Sequence, residues 1–432
     1  MSTTAGGTLL RIIVLDCFTR MGLAVVNALD RSYELVGGDA EPPSGRRPGR
    51  DRFLRSPRLR DVFRYPPVGR RPEEFREAIL DACRRYQADA VFPTSSATVL
   101  ALSRLQSELG DDVPATFICE SWEKVSRLAD KWGLYEVALE LGLPAPRTLL
   151  AEPDRLDEAH ALGLPVVAKP RLAEAAQGIR FLATRDEVDR FVSAEHARVG
   201  AELDGPAFVL QQFVDGEVHN VGGCVQDGTY VSLLTNKHLF ERFEHGGPGI
   251  VHVTTKVPEI MEGARLLAAT FEWNGPLHFN FFLDGEGRYL LADCNPRVWG
   301  STELAVAAGV NVCQQAVDVM VLGRRLEPRS DYRVGLASKW ITPGTLRQCL
   351  RKPRTPRAIF SRVASLVDPR QPSVSNLRLG NFRHLATIVL DTAERRGRRK
   401  ASASQLVAEG SGSRSSAINP KSTPSTQPPS RQ

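Results

Sequence analysis

Asp293, Cys294, Asn295, Pro296, Arg297, Val298, Trp299, Gly300 and Ser301 follow directly on the apolar run Tyr289 to Ala292. That run reads as a strand over Arg288 to Asp293. Strand alternation then puts the Asp293 and Asn295 side chains on one face and Cys294 on the other. Two hard oxygen donors so spaced suit Mg²⁺, which takes carboxylate, amide oxygen, phosphate and water ahead of sulfur. Pro296 stiffens the exit, and Arg297 carries a fixed fork of donors matched to a phosphate or a carboxylate. A strand end whose Asp and Asn satisfy local backbone groups fits these residues equally well, so the rest of the chain has to choose.

Upstream, Lys169 closes the apolar strand Val166 to Lys169. A lysine there either reaches solvent or meets an anion. The loop Arg171 to Gln177 leads to a return strand, Arg180 to Ala183. It is long enough to fold over a phosphate chain, with Lys169 and the loop backbone as the cradle, though a plain surface hairpin reads the same. Phe208 to Phe213 is a further apolar strand, ending in Gln211 and Gln212 and followed by Val214, Asp215, Gly216 and Glu217. Apolar side chains beside amides can hold an adenine ring, and a carboxylate a short turn later can accept from ribose hydroxyls. More strands are expected at Glu217 to Val225, Tyr230 to Leu234 and His278 to Leu283, with hairpin turns at Asp227-Gly228 and Asp284 to Gly287. Helices are expected over Ser121 to Leu139 and over Glu303 to Leu322.

Nearer the start, strand and helix alternate: strand Leu9 to Leu15, a helix through Gly22, Val25, Val26 and Leu29, strand Tyr33 to Val36, helix Glu73 to Tyr86, strand Ala90 to Pro93. This predicts a parallel sheet. Asp39 after the second strand invites a dinucleotide reading, but the first turn, Asp16 to Gly22, has one glycine where the fingerprint needs several. The Pro-, Gly- and Arg-rich stretch Glu41 to Arg60 reads as an exposed excursion.

Taken together, Lys131, Lys169, Gln211 to Glu217 and Asp293 to Arg297 resemble, in order and spacing, the ATP-grasp superfamily. Asp130-Lys131 followed by Gly142, Pro144 and Pro146 looks like its Asp-Lys helix and Gly-x-Pro-x-Pro exit. Pro165 to Pro170 looks like its second lysine strand, and Asn295, Pro296, Arg297 with Trp299, Gly300 and Ser301 like its Asn-Pro-Arg signature. The resemblance covers residues 116–325. It implies that Lys131 and Lys169 contact ATP phosphates, that Gln211, Gln212 and Phe213 face adenine, and that Glu217 binds ribose. It also implies that Asp293, Asn295 and Asn280 hold Mg²⁺, with Mn²⁺ as a substitute, and that Arg297 faces the transferred phosphoryl group. Arg297, Asp293 and Asn295 would then be the catalytic residues. The activity implied is a carboxylate-amine ligase acting on a small-molecule carboxylate and an amine. Carbamoyl-phosphate-synthase-like phosphorylation of a small carboxylate, and a catalytically impaired nucleotide-binding or sensing protein, are the alternatives. Substrate contacts are expected from Cys17 to Gly22, Pro93 to Ser96 and the loop His245 to Gly249.

Three positions depart from the family pattern. Asn280 stands where a carboxylate is usual, leaving the metal set one negative charge short. Glu174 lies in a phosphate loop that is commonly Gly- and Ser-rich, and has to point away from phosphates. Gln212 replaces a frequent acidic residue, mildly, since an amide both donates and accepts.

Composition bounds the remainder. The 432 residues carry a net charge of +6, yet from residue 331 onward there are 19 basic and 5 acidic residues, a surplus of +14, which leaves −8 for residues 1–330. The pI of about 9.0 therefore describes the end of the chain and not a nucleic-acid-binding body. No apolar run approaches the roughly 20 residues that span a bilayer. The seven cysteines, Cys17, Cys83, Cys119, Cys224, Cys294, Cys313 and Cys349, lack CxxC spacing, which points to reduced thiols in a cytoplasm. The expected organisation is mixed α/β and α+β. Residues 1–115 form an N-terminal α/β domain with a parallel sheet, 116–330 a two-subdomain ATP-grasp domain, 331–395 a basic helical extension and 396–432 a disordered tail. No specific nucleic-acid partner and no membrane span are expected, and a homo-oligomer is left open.

Overall fold

The alternation read near the start builds a five-stranded sheet in the order β3-β2-β1-β4-β5. Its strands are β1 (Arg11–Val14), β2 (Glu34–Ala40), β3 (Leu59–Tyr65), β4 (Ala90–Phe92) and β5 (Thr116–Phe117). Every neighbouring pair is parallel. Ile12, Ile13, Val14 and Val91 are buried, as strands covered on both faces require. The structure, a computed structural model, describes residues 9–41, 56–174, 176–195, 205–243, 246–339 and 373–375. Strand β3 departs from the sequence reading, because Arg60, Asp61 and Arg64 disguise its apolar positions. The excursion before it is correspondingly shorter, and residues 42–55 lie outside the described residues.

Strand order reverses between β1 and β4, so Asp16 after β1 meets Ser95 after β4 at the crevice where such sheets bind ligands. The donors there are taken by the chain's own carboxylate: Asp16 accepts from the Tyr65 hydroxyl at 2.8 Å, the Ser95 N–H at 3.1 Å and the Thr98 hydroxyl at 2.9 Å. Gly22 packs so closely beneath that a Cβ would stand 2.2 Å from the Asp16 carbonyl oxygen.

A four-stranded antiparallel sheet, β6-β9-β7-β8, follows, with β6 (Thr148–Leu150), β7 (Val166–Pro170), β8 (Arg180–Leu182) and β9 (Phe208–Gln212). A seven-stranded sheet, β14-β13-β10-β11-β12-β15-β16, completes the architecture. It comprises β10 (Glu217–Gln226), β11 (Thr229–Phe243), β12 (Gly246–Thr255), β13 (Gly275–Leu283), β14 (Tyr289–Asn295), β15 (Ala337–Lys339) and β16 (Ser373–Ser375). One apolar cluster runs from Ile13 and Val91 through Val125 and Leu134 to Leu277 and Phe279, so the first sheet and the last share a core.

Several elements correct the sequence reading. The helix expected over Ser121 to Leu139 is two, Trp122–Ala129 and Lys131–Glu140. Asp130 between them is extended, and its carboxylate accepts from the Trp132 and Gly133 N–H groups, capping the second helix. The helix expected over Glu303 to Leu322 is likewise split, into Thr302–Ala307 and Val312–Met320, around Gly309 at a φ of 105°. The loop expected over His245 to Gly249 belongs instead to strand β12 from Gly246 onward; His245 lies outside the described residues. Gly249 is needed there for close approach, since a Cβ would stand 2.4 Å from His252 Nε2. The expected helical extension contributes two described pieces, β15 and β16, and both are strands added to the edge of the large sheet. The rest of residues 340–432 lies outside the described residues. The six described cysteines are free and buried. Among the described residues no helix is long and apolar enough to cross a membrane.

Candidate nucleotide and phosphoryl-transfer site

The four-stranded and seven-stranded sheets face each other across a cavity of about 450 Å³. Its one end is apolar, lined by Val167, Ile179, Phe181, Phe213, Val214 and Phe282. Phe213 meets Phe181 edge-on, 6.1 Å between centroids. Its other end gathers Lys131, Lys169, Asp293, Asn295 and Arg297. Residues separated by up to 166 positions in sequence thus converge, which spacing alone could not place.

Each cation is satisfied by the chain's own oxygens. Lys169, at the end of β7, donates to Gln211 Oε1 at 2.5 Å, and its Nζ lies 5.6 Å from the centre of the Phe282 ring. Gln211 in turn donates to the Thr148 hydroxyl at 2.9 Å, so this buried amide positions Lys169, and it also lines the cavity. Burial lowers the Lys169 pKa to about 8; Asp293 works against that and Lys131 with it. Lys131 begins its helix and donates to the carbonyls of Ala173 at 2.8 Å and Arg171 at 3.4 Å, with Asp293 Oδ1 at 3.5 Å. Neighbouring Asp130 anchors the root of the same loop through a two-pronged pair with Arg171, at 2.9 and 2.5 Å. The Asp130-Lys131 pair therefore does two jobs: the carboxylate pins the loop, and the ammonium holds its carbonyls.

Arg297 is buried and makes five contacts through its nitrogens: Ser96 Oγ at 3.0 Å, Val298 O at 2.7 Å, Asn295 Oδ1 at 2.9 Å, Glu174 Oε2 at 2.7 Å and Met21 Sδ at 3.2 Å. Glu174, expected to turn away from this place, accepts from the Ser96 N–H at 3.0 Å as well. Burial disfavours the Glu174 carboxylate, but Arg297 and Ser96 outweigh it and hold its pKa below the ordinary value.

Beneath Arg297 runs a row of amides that the sequence reading missed beyond Asn280 and Asn295. Asn295 donates to Asn280 at 3.1 Å, Asn280 to Asn220 at 2.5 Å, and Asn220 to Asn236 at 2.9 Å. Sheet register makes the row: Asn220 stands opposite Asn236 on β11 and Asn280 on β13, and Asn280 stands opposite Asp293 on β14. An Asn beside His219 within the buried strand segment Val218 to Cys224 was the available signal, since a buried amide demands partners. Asn295 also lies 3.2 Å from His278 Nδ1, and His278 stacks on Trp299 with centroids 4.8 Å apart. Burial, with Arg297 and His238 adding to it, holds His278 well below its ordinary pKa, hence neutral.

The donor set for a metal is one carboxylate, Asp293, with the carbonyl oxygens of Asn280 and Asn295. Asp293 keeps 34% of its side chain exposed. Among the described residues no group of three or more His, Cys, Asp and Glu could hold a metal ion. Hard oxygens fit Mg²⁺, but one charge suits an ion that brings phosphate oxygens with it, not a bare ion in a protein cage. Glu217 pairs with Lys237 at 2.9 Å, and Asp215, two residues before it, lines the cavity. Gln212 and Phe213 line the cavity.

Residues 128–301 match the family model of the ATP-grasp domain, which supports an ATP-grasp reading of that stretch. Over 188 residues it is 23% identical to the carbamoyl phosphate synthase large chain, C-terminal section, of Aquifex aeolicus, covering 40% of this chain. The chain spans about a third, 33%, of that relative's length. Among solved structures, the biotin carboxylase domain of Hydrogenobacter thermophilus 2-oxoglutarate carboxylase, crystallised with MgADP and bicarbonate, aligns over 76% of this chain and 74% of its own at 18% identity, with a TM-score of 0.59. N5-carboxyaminoimidazole synthetase of Staphylococcus aureus aligns over 75% and 80% at 12% identity, TM-score 0.54. An L-amino acid ligase of Bacillus licheniformis aligns over 74% and 75% at 15% identity, TM-score 0.52. At these identities the likeness is one of fold.

Proposed function

We propose that this chain is an ATP-dependent ligase that activates a carboxylate as an acyl phosphate and couples it to an amine. The observation that carries the reading is the meeting of Lys131, Lys169 and Arg297 with the accessible carboxylate of Asp293 at one end of a cavity whose other end is apolar. Transfer of a γ-phosphoryl group requires cations around its oxygens more than a protein nucleophile. Gln212, Phe213 and Phe181 enclose adenine, Asp215 receives the ribose hydroxyls, and Lys131 and Lys169 bind phosphate oxygens. Asp293, Asn280 and Asn295 hold Mg²⁺ when it is bound with the nucleotide; it neutralises phosphate charge. Arg297 steadies the charge on the transferred group. A substrate carboxylate oxygen then bonds to the γ-phosphorus as ADP leaves, and the amine nitrogen bonds to the acyl carbon as phosphate leaves.

Residues 1–115 supply Arg20, Met21 and Ser96 to the substrate side, and 116–330 the nucleotide side. The free buried thiols fit a cytoplasmic setting. The test is ADP release across a panel of carboxylates, bicarbonate included, each paired with amines, followed by mass detection of coupled products. At least one acid has to stimulate ADP formation. ATP binding with no stimulation by any acid would overturn the ligase reading and favour the impaired nucleotide-binding alternative, for which the amide at Asn280 speaks.

A further inference from the structure

We propose that Arg297 and the first turn of helix Ser96–Leu109 form a carboxylate-binding subsite, and that Glu174 is its built-in occupant, displaced when the acid substrate binds. The identity of the displacing acid rests on the ligase reading; the existence of the subsite does not. The donors converge on one oxygen: Arg297 Nη2 at 2.7 Å and the Ser96 N–H at 3.0 Å both reach Glu174 Oε2. The Ser96 hydroxyl completes the group, oriented by Arg297 Nε at 3.0 Å. A guanidinium beside the N–H that opens a 14-residue helix is a charge-assisted set for one carboxylate. With only 6% of its side chain exposed, Arg297 is costly to leave without a counter-charge, and the chain supplies one.

Three features mark Glu174 as exchangeable. It sits on the loop between β7 and β8, outside any strand or helix. Its side chain keeps 25% exposure and lines the cavity. It is also held at the cavity by the same Arg297 Nη2 that reaches Asn295 Oδ1 at 2.9 Å. The same loop gives its Ala173 carbonyl to Lys131, so two of the three cations are held by oxygens of one movable segment. Ligand binding is then an exchange of oxygens on fixed cations, in which a tethered carboxylate competes at high effective concentration.

Acetate is the probe, titrated into the full chain and followed by saturation-transfer NMR. Glu174→Ala is expected to bind acetate about tenfold or more tightly than the unaltered chain, because the tethered competitor is gone. Glu174→Gln should fall between, and Glu174→Ala combined with Arg297→Ala should bind none. Should the alanine variant not fold, the glutamine variant decides: loss of charge alone has to raise acetate affinity. Equal binding by the unaltered chain and the folded variants, or binding that survives loss of Arg297, would overturn the subsite. This readout needs no turnover, so a silent acid panel can sink the ligase reading while the subsite stands, and the reverse.

Discussion

Two carboxylates follow strands of two different sheets, and they behave differently. Asp16, after β1, is bound by neutral donors from Tyr65, Ser95 and Thr98, with Gly22 packed against its own backbone. Glu174, after β7, is bound by a guanidinium and an N–H across an open cavity. Asp16 is held by neutral donors of the fold itself, so it closes the crevice of the parallel sheet and serves structure. Glu174 sits on a cation that a phosphoryl group or a substrate carboxylate would bind equally well. Donor charge and backbone freedom, more than the presence of a carboxylate, separate a structural anion from a replaceable one.

The sharpest challenge to this contrast comes from the functional side. Asp293→Ala should lower turnover by about 10³-fold, the scale of losing a preorganised group that stabilises transferring charge, while thermal unfolding stays close to that of the parent. Retained turnover would remove Asp293 from the chemistry. On the structural side, Asp16→Asn should cost about 1–3 kcal/mol in unfolding free energy, because one accepting oxygen becomes an amide NH₂ that cannot accept, with nucleotide affinity unchanged. A denaturant titration beside a nucleotide titration reads both, and a variant that loses nucleotide binding while keeping stability would reverse the roles assigned to the two carboxylates.

The metal makes a smaller test. With one carboxylate in the set, Mg²⁺ alone should bind about tenfold or more weakly than Mg²⁺ with nucleotide, as calorimetry would measure; tight binding of the bare ion would mean ligands other than those named. Smallest is the pH effect of Lys169, whose pKa is lowered from 10.5 to about 8. Between those values the unfolded chain holds a proton that the folded one has released, so this group makes stability rise with pH across that window. Nucleotide affinity should move the opposite way, falling as pH passes about 8 and the ammonium is lost. Comparison with Lys169→Met isolates both trends, and an unchanged pH profile in that variant would dismiss the assignment.

Much of the site was legible before folding. Asp293, Asn295 and Arg297 stand on one strand end, and Lys169 ends an uncharged strand, where a charged group either reaches solvent or has a partner. The parallel sheet followed from alternation, apart from β3, where alternate charged residues hid a strand. The misread parts share a cause. Asp130 and Gly309 interrupt helices through caps and a positive φ that apolar periodicity does not report. The partners of Gln211 and Glu217, Lys169 and Lys237, are likewise set by which strands lie side by side and not by any local pattern.

Local chemistry in the chain therefore settled which side chains could handle phosphate and metal, because charge, donor geometry and strand alternation are properties of a few consecutive residues. Register across the sheets settled the rest. Asn220, Asn236, Asn280 and Asn295 become one hydrogen-bonded row only when β10, β11, β13 and β14 pair as they do, and Glu174 reaches Arg297 and Ser96 only when three distant segments close around one cavity. Hydrogen bonds of about 3 Å between residues 123 positions apart depend on packing that no local pattern encodes.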